Sequence, residues 1–344
     1  MRVLRWILLV IAVGLLARFV KHGWPEVRAS LSLLGARHAP FVGLAVAVEA
    51  GWVFAMSQVY RSALMAFGGA VSRKAALRIS MAAFTLSRML PGGGAAGGAV
   101  AARELIALGN PALRTIVSML ASWWITMTGL SALVVSGIAI SVAGGTLSQA
   151  YLTAPVAALV GFVLGGAAIV VGARRPWLRT RLSAVIARGA DRMGSSMAAS
   201  ATRAPLDAVG RAIRISGVLA VFAWGLAVWI LDATALWFSL AAFGWRVDIG
   251  VLLVAFGVAN LISALPELTP GWLGVLEASV AVTLSAFGVP EGIAVVAVLI
   301  YRLVSYWLPT IAGIPAAVGV LGHGRRSHSS AAHRRLETPR RVLS

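Results

Sequence analysis

The chain has no cysteine, which excludes disulfides, thiolate metal sites and a cysteine nucleophile. Lysine is almost as scarce, with Lys21 and Lys74 the only two. Acidic residues number 11 against 30 basic ones, and all charged residues together make up 12%. A soluble domain carries about 25% charged residues. The shortage, joined to 59% hydrophobic residues and a mean hydropathy of +0.89, indicates a polytopic membrane protein. Neither H-E-x-x-H nor G-x-S-x-G occurs, and all five histidines (22, 38, 323, 328 and 333) fall in loops or the tail. No enzyme activity, metal or cofactor is therefore expected.

What is present in excess is arginine, giving a net charge of +19. The arginines flank apolar runs, so the positive-inside rule accounts for them without nucleic acid. Apolar segments fall near 5–20, 41–67, 79–110, 115–141, 153–173, 215–243, 248–289 and 292–322. The 344 residues suffice for one membrane bundle, 1–322, with no large soluble domain beside it. The first run has a basic start but no A-x-A site after it, and reads as a retained first helix. Nine arginines between 174 and 214 mark a basic loop, and six more lie in the tail 323–344. Both should face the cytoplasm of a bacterial plasma membrane. The loop has apolar positions such as Leu182, Val185 and Ile186, so it either lies amphipathically on the anionic leaflet or is simply solvated.

With 174 inside, segments 115–141 and 153–173 form two spans and Arg114 returns inside. The Arg73/Lys74/Arg78 cluster also reads as inside. Segment 79–110 then begins and ends on one face and must be a hairpin. The same count makes 248–289 a hairpin entering from the other face. Arg18, Lys21, Arg28 and Arg37 would lie outside, which leaves the orientation of the first helix open.

The two hairpins also align. "PGGGAAGGAVAARELIALGNP" (91–111) matches "PGWLGVLEASVAVTLSAFGVP" (270–290) without gaps at a constant offset of 179, with eight identities in 21. The matched residues include Pro91/Pro270, Gly92/Gly271, Gly109/Gly288 and Pro111/Pro290. The expected fold is an all-α bundle of two inverted repeats, 41–141 and 215–322, each with a re-entrant hairpin broken by Gly and Pro. The breaks are Pro91, Gly92 and Gly94 in one repeat and Pro270, Gly271 and Gly274 in the other. Such interrupted segments point to a transporter's binding site, because broken backbone is tolerated only against protein or a polar cavity. The alternative is close packing of small residues between helices. Gly92, Gly94 and Gly97 also spell G-x-G-x-x-G, but an apolar segment precedes them and no acid occupies 112–118, so a dinucleotide site is excluded.

Ionisable residues inside apolar segments each cost about 2.5–3.5 kcal/mol on insertion scales and need a partner or water. They are Glu49, Arg61, Arg88, Asp232, Glu267, Glu277 and Arg302. Arg88 and Glu267 each lie three residues before the hairpin proline, so they are repeat-equivalent with opposite signs and either pair or line one cavity. Arg302 either binds a lipid phosphate or carboxylate or pairs with Glu277 or Glu291. Arg61 either joins the translocation path or snorkels to the headgroups. Arg103 and Glu104 fit a membrane boundary. Glu49 and Asp232 align with nothing.

Residues 76–109 and 265–315 resemble the two signature regions of a flippase-like membrane family that shares the transmembrane region of lysylphosphatidylglycerol synthases. In the second region Pro270, Gly271, Gly274, Glu277, Gly288, Tyr301, Arg302 and Pro309 occupy the pattern. The first follows an "LPGGGAAG" version; where some members carry G-E, this chain has Gly97-Gly98. The resemblance covers about residues 5–322. It implies a bundle with two re-entrant hairpins that moves or exposes a lipid between leaflets. Members that make lysyl-phosphatidylglycerol carry a large cytosolic aminoacyltransferase domain, whereas here 22 residues follow the last helix, so lipid aminoacylation is not expected.

The leading expectation is thus a lipid translocase for a phospholipid or polyprenyl-linked lipid, passive or ion-coupled. The expected path residues are Arg88, Glu267, Glu277, Arg302 and Arg61, and the expected partners are anionic membrane lipids. The alternative is an accessory scaffold that delivers lipid to, or stabilises, a synthase or glycosyltransferase through the 174–214 loop.

Overall fold

The computed structural model describes residues 39–89, 93–146, 153–172, 214–262 and 274–321, all helix or short connection with no strand among them. The first apolar run, the basic loop and the tail lie outside the described residues. The helices are α1 (Ala39–Ala66), α2 (Arg73–Met89), α3 (Gly93–Ala107), α4 (Ala112–Ala143), α5 (Thr153–Gly172), α6 (Ile215–Ala241), α7 (Ile249–Ile262), α8 (Val275–Ala286) and α9, which runs Glu291–Leu321. Four of these, α1, α4, α6 and α9, are long and apolar enough to cross a membrane, whose hydrocarbon core needs about 20 residues of helix. Their outer faces are apolar too: Leu120, Leu219 and Val318 are 47%, 62% and 64% exposed. A bundle that presents leucine and valine outward is solvated by lipid. Many hydroxyls inside the helices bond back to carbonyls three or four residues earlier, as Ser118 does to Thr115 (2.8 Å) and Thr234 to Ile230 (2.7 Å), and these need no external partner.

α2 and α3 pack as an antiparallel pair, with Ile79, Ala83, Ala101 and Leu105 sharing one buried cluster. Gly97 is why they can approach so closely: a Cβ there would sit 2.4 Å from the Ala83 carbonyl oxygen. Gly94 and Gly98, by contrast, have open space where a Cβ would go. The glycine-rich stretch therefore splits, with Gly97 serving helix packing in the way small residues do in membranes.

One local turn recurs at the 179-residue offset seen in the sequence. α3 ends at Gly109 with φ +91°, and α8 ends at Gly288 with φ +89°. Asn110 N–H donates to Leu105, and Val289 N–H to Leu284, its counterpart 179 residues on. Pro111 and Pro290 then open α4 and α9 in extended conformations (φ −60° and −53°). Both connections need the left-handed glycine because any Cβ would be strained there.

Two of the four long helices pack side by side. α1 and α6 run antiparallel along most of their lengths: Phe41 stacks near Phe238, Phe54 near Trp224, and Arg214 N–H donates to the Ala66 carbonyl. α4 crosses α7 through close glycine contacts at Gly137, Gly250 and Gly257. The counterpart crossing, α9 on α2, uses Gly313, where a Cβ would fall 2.1 Å from Thr85 Oγ1. Thr85 Oγ1 also donates to the Thr310 carbonyl at 3.1 Å, tying these helices together. The largest core cluster joins α4, α6, α7, α8 and α9 around Leu236, Leu240, Phe256, Val280 and Leu284.

Candidate functional site

The site begins with a local distortion in α9. Its α-helical turns stop at Arg302, and Leu303–Trp307 form a π-helical turn before the helix resumes. Leu308 N–H donates back to Leu303, five residues earlier. Pro309 supplies a reason: it has no N–H, so the ladder loses a rung at this point and the wider turn is accommodated. Single π turns inside α-helices recur at functional sites. Here the turn shifts the faces of α9 so that Tyr301, Arg302 and Tyr306 all turn into the bundle, where all three are buried.

Two arginines converge on Tyr306. The Arg302 guanidinium lies 4.5 Å from its ring centroid, and that of Arg88, from α2, lies 4.3 Å away. Arg88 also stacks on Phe84, one turn earlier in α2, at 4.6 Å. Each such contact contributes about 0.5–2 kcal/mol depending on desolvation. Arg302 is further held by an ion pair, its Nε donating to Glu277 Oε1 at 2.5 Å. The other oxygen of Glu277 accepts from the N–H of Gly274 at 2.7 Å. Gly274, at φ +86°, opens α8. One carboxylate thus neutralises a buried arginine and satisfies a free N–H at a helix start, where a negative charge is favoured.

A second layer lies behind the arginines. Tyr301 O–H donates to Asp232 Oδ1 on α6 at 2.7 Å, with both side chains buried. Glu49, on α1, faces the same region and lies in the electrostatic range of Asp232, Arg88 and Tyr301. It is 1% exposed, and among the described residues neither of its buried carboxyl oxygens has a hydrogen-bond partner. Trp52, one turn further along α1, packs edge-on against Phe84 at 5.0 Å. Trp52 and Phe84 continue, with Val53, Met56, Met81 and Pro309, into an apolar groove beside the charged cluster.

The sequence-derived candidates fall into three groups. Arg88, Glu277 and Arg302 are brought together, and of the two partners open to Arg302 the structure selects Glu277. Arg61 stands apart on α1, half-buried, its Nε shielded and without a hydrogen-bond partner among the described residues. Glu267 and the breaks Pro91, Gly92, Pro270 and Gly271 lie outside the described residues. Of the remaining breaks, Gly274 is a left-handed helix cap and Gly94 opens the first turn of α3. Asp232 and Glu49, which aligned with nothing, prove to belong to the cluster. Tyr301 and Tyr306 were missed as site residues, although a signal existed: the chain has only four tyrosines, and two of them flank Arg302.

Arg88 has a property that Arg302 lacks. Among the described residues its guanidinium is held by two ring faces, and no carboxylate or carbonyl accepts from its N–H edges. Five directional donors are thereby presented, in a fork matched to carboxylate or phosphate oxygens.

Long lipid-facing helices around a buried cluster of charges define the class as a multi-pass α-helical membrane protein. The family model for the lysylphosphatidylglycerol synthase TM region matches residues 5–313, and the chain belongs to that family. It is also similar to two UPF0104 membrane proteins of Methanothermobacter thermautotrophicus. One is 32% identical over 93 residues, 27% of this chain and 28% of the relative. The other is 32% identical over 89 residues, 26% of each chain. A UPF0104 membrane protein of Methanocaldococcus jannaschii is 32% identical over 85 residues, 25% of each. These matches thus span about a quarter of the relatives' lengths.

Proposed function

We propose that this protein is a lipid translocase, moving an anionic phospholipid or polyprenyl-linked lipid between the leaflets of a bacterial plasma membrane with its C-terminus in the cytoplasm. The observation that carries the reading is Arg88: a guanidinium inside the bundle, fixed by aromatic faces, its N–H edges unspent among the described residues. An acidic headgroup is the ligand chemistry that suits such a fork. The apolar side chains of Trp52, Met56, Phe84 and Pro309 beside it are chemically compatible with the start of an acyl chain of the same molecule.

The architecture supports alternating access. α2, α3, α7 and α8 have 17, 15, 14 and 12 residues. At 1.5 Å per residue they extend about 18–26 Å, short of the roughly 30 Å hydrocarbon core. This favours paired re-entrant hairpins. The 179-residue offset in backbone turns, the antiparallel meeting of α1 with α6, and the reciprocal α4–α7 and α9–α2 crossings favour repeats inverted about an axis in the membrane plane. The charged cluster would then sit near that axis, reachable from each face in turn. The protein does no covalent chemistry in this reading.

The test uses phosphatidylcholine vesicles containing fluorescent phosphatidylglycerol, with reduction of the outer-leaflet probe reporting its movement. Protein-containing vesicles should lose the protected fraction faster than empty ones, and Arg88→Gln should abolish most of the gain while unfolding at the same detergent concentration. If the wild type is no faster than empty vesicles for phosphatidylglycerol, phosphatidylethanolamine and a polyprenyl phosphate alike, the translocase reading fails. The scaffold alternative would then stand.

A further inference from the structure

The cluster holds one carboxylate more than its arginines require. Among its described members, Arg88 and Arg302 carry two positive charges, and Asp232 and Glu277 carry two negative ones. Glu277 is paired with Arg302, and Asp232 accepts from Tyr301. Glu49 is the surplus group. It is 1% exposed, and both its oxygens are shielded and without a hydrogen-bond partner among the described residues. The ionisable groups that act on it are Asp232 from α6, Arg88 from α2 and Tyr301 from α9, and Trp52, one turn along its own helix, has a buried Nε1 that also lacks a partner among the described residues. An ionised carboxylate so placed costs several kcal/mol beyond what a distant charge returns, and Asp232 opposite adds repulsion.

We propose that Glu49 is a proton-binding site whose occupancy is linked to that of Arg88, so that one proton and one acidic lipid headgroup are carried together. With a headgroup on Arg88, the arginine's charge is consumed and Glu49 must hold its proton. Without a headgroup, Arg88 is the cation nearest to hand for an ionised Glu49, and the proton leaves to water. By linkage, whatever the headgroup does to the proton affinity of Glu49, the proton does equally to headgroup affinity. The proton enters from water on one face and is returned to water on the other, and lipid anion plus proton cross as a neutral unit. This rests on the translocase reading and names its coupling ion.

The consequence is quantitative. A gradient of one pH unit should distribute the lipid about tenfold across the bilayer at equilibrium, since one unit is about 1.4 kcal/mol for one proton. A potassium–valinomycin potential should leave that distribution unchanged. The experiment uses the phosphatidylcholine vesicles with fluorescent phosphatidylglycerol, with and without each gradient, for the wild type and Glu49→Gln. The expected result is accumulation on the side toward which protons run in the wild type, and movement indifferent to pH in Glu49→Gln. Wild-type movement that ignores the pH gradient, or follows the potential, overturns the coupling but leaves the translocase reading intact. Movement by Glu49→Gln that still follows pH overturns the assignment of the residue.

A second measurement needs no transport. Infrared spectra of the whole protein in detergent should gain, on addition of phosphatidylglycerol, a protonated-carboxyl C=O band that Glu49→Gln removes, with about one proton taken up per lipid bound. If vesicle movement is absent altogether, the translocase reading falls. The infrared band alone then decides Glu49, its absence overturning the proton site and its presence supporting it.

Discussion

Separating Glu277 from Arg302 should cost far more than an ion pair at a protein surface, and the structure sets the size. The two side chains are 18% and 6% exposed, and Glu277 uses both oxygens, one on Arg302 and one on the Gly274 N–H. Glu277→Ala deprives a buried arginine of a charged partner, for which about 3–5 kcal/mol is typical. Arg302 keeps the face of Tyr306 at 4.5 Å, which returns about 1 kcal/mol, so the lower end, about 3 kcal/mol, is expected. Glu277→Gln offers one neutral acceptor where two charged contacts stood, at about 1–2 kcal/mol. Arg302→Met strands the better hydrated partner, which retains its helix-start contact, at about 2 kcal/mol. The double variant Glu277→Ala/Arg302→Met leaves no stranded charge and should cost less than the sum of the singles by about 2 kcal/mol. The measurement is reversible unfolding in dodecyl maltoside micelles titrated with dodecyl sulfate, read by the fluorescence of the 12 tryptophans. Singles that add to within about 0.5 kcal/mol would refute the buried-pair reasoning.

Four further substitutions probe packing, a helix cap and a buried hydrogen bond by the same unfolding titration. Gly97→Ala should destabilise by about 1–3 kcal/mol, since its Cβ meets backbone at 2.4 Å and α2 must move from α3, whereas Gly98→Ala, with open space, should be neutral. Equal effects would mean that α2 and α3 do not meet at Gly97. Gly274→Ala meets no atom within 4 Å but must adopt φ +86°, and should cost about 1–2 kcal/mol from backbone strain alone. Tyr301→Phe removes the 2.7 Å bond to Asp232 and should cost about 1–3 kcal/mol; an unchanged midpoint would show that the carboxylate does not depend on that hydroxyl.

Much of the fold was legible because a membrane reduces the grammar of a sequence. Long apolar runs between arginine clusters fix where helices start and stop, and α4, α6 and α9 fall close to the segments read for them. The proline and glycine matches at offset 179 were legible for the same reason. Pro111/Pro290 and Gly109/Gly288 dictate local backbone geometry, and that geometry recurs in the turns they occupy. The site was legible only in part. Arg88, Glu277 and Arg302 stood out because charge inside an apolar run is costly wherever it sits. Glu49 and Asp232 stood out equally but had no assignable role, since their relation depends on how α1 lies on α6.

Composition, hydrophobic run lengths and the placement of Gly and Pro, all local along the chain, were thus enough to determine a multi-pass helical protein with two similar interrupted segments. Which charges meet was decided by tertiary structure. The antiparallel packing of α1 on α6 puts Glu49 near Asp232, and the crossing of α9 on α2 at Gly313 brings Arg88 to Tyr306. The π turn beside Pro309 turns Arg302 toward Glu277. These contacts join residues 25 to more than 200 positions apart, and no periodicity along the chain encodes the angle at which two helices cross.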